Sequence, residues 1–256
     1  MYRYIRLAAT AVAGGAAPLG LYLGEVPSWV LIGLLALVFV LGWPELAALP
    51  QPLSARLVLT AAAALSVGLA AFWSSSSMAA TAVLVALGVG FPLAVVRELA
   101  RPLPRPGLIR SLTGTSAGLV LVTLAGTYFG VEGGPDQPWV LALVGTAGLA
   151  AACLVLMVGL PFDRRFSWVP LASLFLALAA GFGAGWGTTL LVGEVTWWLG
   201  GAVGASCALA PGFLTLWLAS WPARTWAVRP SLRDAALITL PGVVAALPVW
   251  AAGLIH

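Results

Sequence analysis

Polar positions in this chain are confined to short intervals. Between them lie apolar runs at residues 5 to 24, 28 to 48, 54 to 73, 77 to 97, 109 to 130, 138 to 160, 167 to 190, 196 to 220 and 232 to 254. Each is near the roughly 20 residues a helix needs to cross about 30 Å of hydrocarbon. In hydrocarbon a backbone must satisfy its own hydrogen bonds, so runs that are apolar all round read as helices. The pattern predicts an all-α fold, a polytopic integral membrane helix bundle of about nine transmembrane helices. Residues 1-256 form a single transmembrane domain with no aqueous domain. Several runs open on residues suited to helix capping, namely Ser28, Ser54, Ser167, Thr196 and Ser231.

Composition agrees. Hydrophobic residues make up 61% and charged residues 8%, where a soluble domain carries about a quarter charged residues. All 12 basic residues are arginines, and with the Ala, Gly, Leu and Val excess this points to a high-GC bacterial genome and a multi-pass protein of the cell membrane. An isoelectric point near 9.7 would suggest nucleic acid in a soluble protein. Here the arginines sit at the ends of apolar runs, so no nucleic-acid partner is expected.

Charge also sets the orientation. Arg3 and Arg6 precede the first run, Arg56 follows the second, and Arg97, Arg101, Arg105 and Arg110 lie between the fourth and fifth. Arg164 and Arg165 lie between the sixth and seventh, and Arg224, Arg229 and Arg233 between the eighth and ninth. The opposite connections carry Glu25, Glu132, Asp136 and Glu194 but no arginine. The positive-inside rule then predicts a cytoplasmic N-terminus and a C-terminus outside. Tryptophans recur at both levels, with Trp29, Trp73, Trp139, Trp186, Trp197, Trp198 and Trp250 at outer ends and Trp43, Trp168, Trp217, Trp221 and Trp226 at inner ends. The first run reads as an uncleaved span, because its Arg-flanked start lacks a small-x-small cleavage site.

Mid-depth positions hold no Asp, Glu, His or Lys, which argues against an ion-coupled pump. Four acids lie on the inner side, Glu45, Glu98, Asp163 and Asp234. Together they would form a divalent-metal cluster for phosphate chemistry. The plainer reading is favoured: Glu98 and Asp163 neighbour Arg97 and Arg164, Asp234 follows Ser231 as in a capping box, and Glu45 opens a connection. No metal, cofactor or catalytic residue is therefore expected. Cys153 and Cys207 read as packing residues within spans, and His256 as a solvated tail.

Ser111-Leu112-Thr113-Gly114-Thr115 opens the fifth run. In size, topology and this cluster the chain is similar to the polytopic phosphatidate cytidylyltransferases. That family's activity rests on lysine-bearing motifs and an aspartate cluster, neither of which this sequence has, and no residue is carried over. The turn Gly24-Glu25-Val26-Pro27-Ser28-Trp29 is echoed by Gly193-Glu194-Val195-Thr196-Trp197-Trp198, from duplication of a hairpin or from shared capping needs.

Glycines spaced by four, at 114/118, 126/130, 181/185, 183/187 and 200/204, predict close helix packing. They bring the fifth, seventh and eighth helices together or offer a face to a membrane-protein partner. Arg97, Arg101, Arg105 and Arg110 form a rim expected to attract anionic membrane lipid. Pro211-Gly212 and Pro241-Gly242 break the last two spans at about 13 Å from the cytoplasmic boundary. They free the carbonyls of Cys207 and Leu237, for which Ser206, Thr215 and Thr239 are nearby donors. These residues form a candidate pocket. The function expected is a non-enzymatic membrane protein, either a permease for a neutral or lipid-like solute or a subunit of a larger complex. The alternative is an enzyme acting on an anionic lipid or polyprenyl phosphate at the cytoplasmic face.

Overall fold

The computed structural model describes residues 9–72, 76–102, 107–133, 138–159, 169–192, 196–219 and 232–255. Over these the chain is helical and follows the apolar runs. The α-helices are α1 (Ala16–Leu23, with residues 9–14 also helical ahead of it), α2 (Glu25–Leu46), α3 (Pro52–Phe72), α4 (Ser76–Leu99) and α5 (Leu108–Thr123). They continue with α6 (Pro138–Gly159), α7 (Val169–Val192), α8 (Trp197–Ala219) and α9 (Leu232–Ile255). Among the described residues, 6 helical spans are long and apolar enough to cross a membrane, in α2, α3, α4, α5 with its extension, α7 and α9.

The helix starts follow local chemistry. Gly24 separates α1 from α2 with φ +110°, a conformation that favours glycine. α2 therefore starts ahead of the expected Ser28 cap, and the Ser28 hydroxyl donates back to the Glu25 carbonyl at 2.6 Å. α3 likewise starts at Pro52 rather than after a Ser54 cap. A proline at the first helical position lacks an N–H that would have no helical partner anyway. Thr196 does stand directly before α8, and its carbonyl accepts the Gly200 amide at 3.1 Å. Ser167 and Ser231 lie outside the described residues.

One run is not a continuous α-helix. α5 stops at Thr123 and the chain continues as a 3-10 helix over Leu124–Gly133, long for a form usually limited to one turn. The Ser66 hydroxyl of α3 donates to the Thr123 carbonyl at 2.7 Å, so that carbonyl has a partner outside its own helix. A side chain at Gly126 would run into Ser66, so the close approach of the two segments depends on glycine there.

The packing has two groups. α3 and α5 each pack against α2 and α4 and against one another, α6, α7 and α8 pack on one another, and α9 lies against members of both: α2, the 3-10 segment, α6 and α8. Of α9's apolar window 56% is buried, against 22% to 39% in the other five candidate spans, which makes α9 the central helix.

The glycine spacing is used, with one correction. Gly181 and Gly185 of α7 meet Gly204 and Gly200 of α8 backbone to backbone, and Gly148 of α6 meets Gly204. The third partner is therefore α6, not α5. On α5, Gly114 and Gly118 instead receive Leu49 and the Trp43 indole, whose N–H donates to the Gly114 carbonyl at 2.8 Å. Trp43 is thus a packing residue stacked near Phe39, at 5.3 Å between ring centroids, and not a headgroup anchor. Trp29, Trp186, Trp197 and Trp198 are exposed, as an aromatic belt requires.

Candidate functional site

Two places in the bundle gather polar groups that apolar helices would otherwise exclude. The first surrounds Pro241 in α9, where the helix runs without interruption from Leu232 to Ile255 in place of the expected break. Proline at 241 denies the Leu237 carbonyl its i+4 donor, and Pro248 does the same to the Val244 carbonyl about two turns further on. The donor that reaches this region comes from far away: the Tyr128 hydroxyl, on the 3-10 segment, donates to the Gly242 carbonyl at 2.7 Å, fully buried. A proline-bearing helix thus meets a segment that has changed its winding.

Of the sequence-derived pocket residues on α8, Cys207 is the one seen against α9. The Cys207 thiol of α8 faces the Ala245 carbonyl of α9 at 3.8 Å, and Gly145 of α6 is packed against Cys207, Val203 and Val249. Pro211 lies four residues beyond Cys207, and Pro241 four residues before Ala245. In antiparallel helices both prolines, each inside a continuous helix, then fall about 6 Å from that contact on the same side, at ~1.5 Å per residue. Gly242 itself faces Leu35 of α2 and Gly14, at 3.5 and 3.6 Å from where a side chain would start.

The nearby hydroxyls serve other carbonyls. Thr239 is buried and donates to Ala235 at 2.9 Å, whereas Ser206 is exposed and donates to Ala202 at 2.7 Å. Gly212 and Thr215 lie within α8, and their side-chain surroundings fall outside the described residues. Tyr128 escaped the sequence reading because nothing local marks a tyrosine near the end of one span as a partner for the middle of another.

The second place is where α4 ends against the start of α5. Glu98 is 2% exposed and Arg97 and Arg101 are each 9% exposed at their side chains. One Glu98 oxygen accepts from Arg97 and from the Ser111 hydroxyl, and the other accepts from Arg101 at 2.6 Å. Arg97 also donates to Ser111 at 2.8 Å and to Thr115 at 3.0 Å. Its Nε–H is buried with no partner. The Ser/Thr/Gly cluster that opens α5 therefore has two uses, Ser111 and Thr115 for Arg97, and Gly114 for Trp43 and Leu49. Of the expected rim, Arg97 and Arg101 turn onto Glu98, Arg110 is exposed, and Arg105 lies outside the described residues.

The inner acids are separated by their partners. Glu45 pairs with Arg56 at 3.0 Å and Glu98 with Arg97 and Arg101, while Asp234 is buried in the first turn of α9 and Asp163 lies outside the described residues. Among the described residues no three His, Cys, Asp or Glu side chains are grouped for a metal ion.

These features define a class: an all-helical protein whose several apolar spans suit a membrane, with two buried polar junctions. Comparison with protein-family models, curated proteins and solved structures finds no match.

Proposed function

We propose that the chain crosses a bacterial cell membrane nine times, with its N-terminus cytoplasmic and its C-terminus outside, and works as a permease for a neutral or lipid-like solute. The orientation rests on the arginines, all of which fall in alternate connections. The permease reading rests on one observation, the Tyr128 hydroxyl on the Gly242 carbonyl at 2.7 Å, which ties the 3-10 segment to the proline-bearing stretch of α9 within the bundle. Broken helices in membranes are tolerated where protein or a solute path supplies partners for the freed backbone. The Gly242 carbonyl is not one of those the prolines free, since its helical donor is the Ala246 amide, so the Tyr128 hydroxyl is a second bond on it and one that a polar solute or water can replace. Membership in a larger complex, through exposed glycine faces, is compatible with the same bundle.

The test is accessibility. With Cys153 and Cys207 replaced by Ala, Thr239→Cys is expected to react in native membranes with a small water-soluble methanethiosulfonate reagent, and faster when Tyr128→Phe is added. A Thr239→Cys protein that is folded but inert, in both backgrounds, contradicts a path at this junction. An enzyme acting on an anionic lipid is the second reading, favoured by the Arg97, Arg101 and Ser111 cluster.

A further inference from the structure

Apolar contact alone does not hold helices together in a bilayer, because lipid tails solvate an apolar face as well as another helix does. Directional bonds and close approach of backbones therefore determine which helices stay together when the bundle moves.

Bonds between side chains and distant partners link the members of the first group. The Trp43 indole ties α2 to Gly114 of α5, and Arg56 ties α3 to Glu45 of α2 at 3.0 Å. Ser66 ties α3 to the end of α5, and Arg97 ties α4 to Ser111 and Thr115 of α5. α5 runs on into the 3-10 segment, whose Tyr128 donates to α9. α1 joins this body through Gly20, which lies against Ser28 of α2.

α6, α7 and α8 are held in another way. At Gly148, Gly181, Gly185 and Gly204 an added side chain would run into the backbone of the next helix, so the three backbones touch. α7 packs against α6 and α8. Contact of this closeness depends on backbone packing, for which lipid is no substitute.

The boundary between the two bodies is made where α9 meets α6 and α8, and where α1 and the 3-10 segment meet α6. Across it the Cys207 thiol, a weak donor, faces the Ala245 carbonyl at 3.8 Å. Gly145 of α6 lies against Val249 of α9, and Gly14, ahead of α1, against Leu149 of α6. Contacts of this kind are exchanged for lipid at little cost. Ala245 is three residues past Gly242, so α9 offers carbonyls on neighbouring turns to one donor from each body, Tyr128 and Cys207.

We propose that α6, α7 and α8 move as one rigid body against the rest of the bundle, and that the boundary parts along α9 where Cys207 faces Ala245. The parting reaches the turn on which Tyr128 holds Gly242. The motion goes beyond the permease reading: distances between helices test it, whereas the reactivity of Thr239→Cys tests the path.

The experiment places pairs of spin labels on the full chain in nanodiscs, with Cys153 and Cys207 replaced by Ala, and reads the distance distributions by double electron–electron resonance. Leu57 of α3, Leu84 of α4, Leu154 of α6, Leu190 of α7 and Leu247 of α9 are exposed, so a label at each is tolerated. The pairs within a body, 57 with 84, 57 with 247, and 154 with 190, are expected to give single narrow distances. The pairs across the boundary, 84 with 190 and 247 with 190, are expected to be wider, with a second distance displaced by about 2 Å or more. Distributions across the boundary as narrow as those within the bodies overturn the proposal. Equal widening of all five pairs overturns it as well, because it describes a loose bundle, and so does a wide 57–247 pair beside a narrow 247–190 pair, because α9 would then travel with α7.

Discussion

Tyr128 and Gly242 stand 114 positions apart, and the hydroxyl of the first donates to the carbonyl of the second at 2.7 Å inside the bundle. The bond ties the 3-10 segment to the central helix, α9, beside Pro241. Hydrogen bonds between membrane helices contribute about 0.6 kcal/mol on average and rarely more than ~1.7. Tyr128→Phe, which removes one oxygen and keeps the ring, is expected to lower stability by about 1 kcal/mol. Reversible unfolding in mixed micelles checks this, and an unchanged unfolding curve would mean that water replaces the bond at no cost.

Glu98 carries more. Removing one member of a buried ion pair leaves the other charge without compensation, at about 3–5 kcal/mol. Two arginines depend on this carboxylate, so Glu98→Gln is expected to cost about 3 kcal/mol even though the cluster is at the end of a span. Arg97→Gln combined with Glu98→Gln should cost less than the two single losses added together. A double-mutant cycle read by detergent unfolding measures the coupling, and strict additivity would show that the two side chains act independently.

Gly204 is the point where three helices touch, because it contacts the backbones of Gly181 and Gly185 on α7 and of Gly148 on α6. A Cβ there meets backbone that cannot rotate away. Gly204→Ala is expected to destabilise by about 1–3 kcal/mol, whereas Gly183→Ala, whose added carbon meets nothing within 4 Å, should be near neutral. Equal effects at the two positions would contradict the packing.

Ala48 ends the turn between α2 and α3 with φ 48°. A left-handed conformation costs an alanine roughly 1 kcal/mol relative to glycine. Ala48→Gly is therefore expected to raise stability by up to about that amount, offset in part by a freer unfolded chain. A drop in the midpoint would contradict the assigned turn.

Element boundaries were legible because a bilayer imposes a length. The run at 138 to 160 became α6, Pro138–Gly159, and the run at 232 to 254 became α9, Leu232–Ile255. The change of winding after Thr123 was not legible, and the Thr123 carbonyl there takes its outside partner from another helix, the Ser66 hydroxyl. Proline at 241 predicted a break, but the helix runs through it, and the hydroxyl beside it comes from Tyr128, which no spacing rule connects to it. Glu98 beside Arg97 suggested a local pair, and the structure adds Arg101, Ser111 and Thr115 to it. Which glycines pair is likewise a property of helix order in space: α6 takes the place expected of α5 beside α7 and α8.

The most direct measurement of the central claim, a nine-span bundle with its arginines inside, is cysteine labelling in intact cells after Cys153 and Cys207 are replaced by Ala. Single cysteines are introduced at Ser76, which begins α4, and at Gly134 and Pro104, which lie outside the described residues. A membrane-impermeant maleimide is expected to label the first two from outside and to leave Pro104→Cys unlabelled until the cells are opened. Labelling of Pro104→Cys in intact cells, with Ser76→Cys and Gly134→Cys protected, would contradict the orientation.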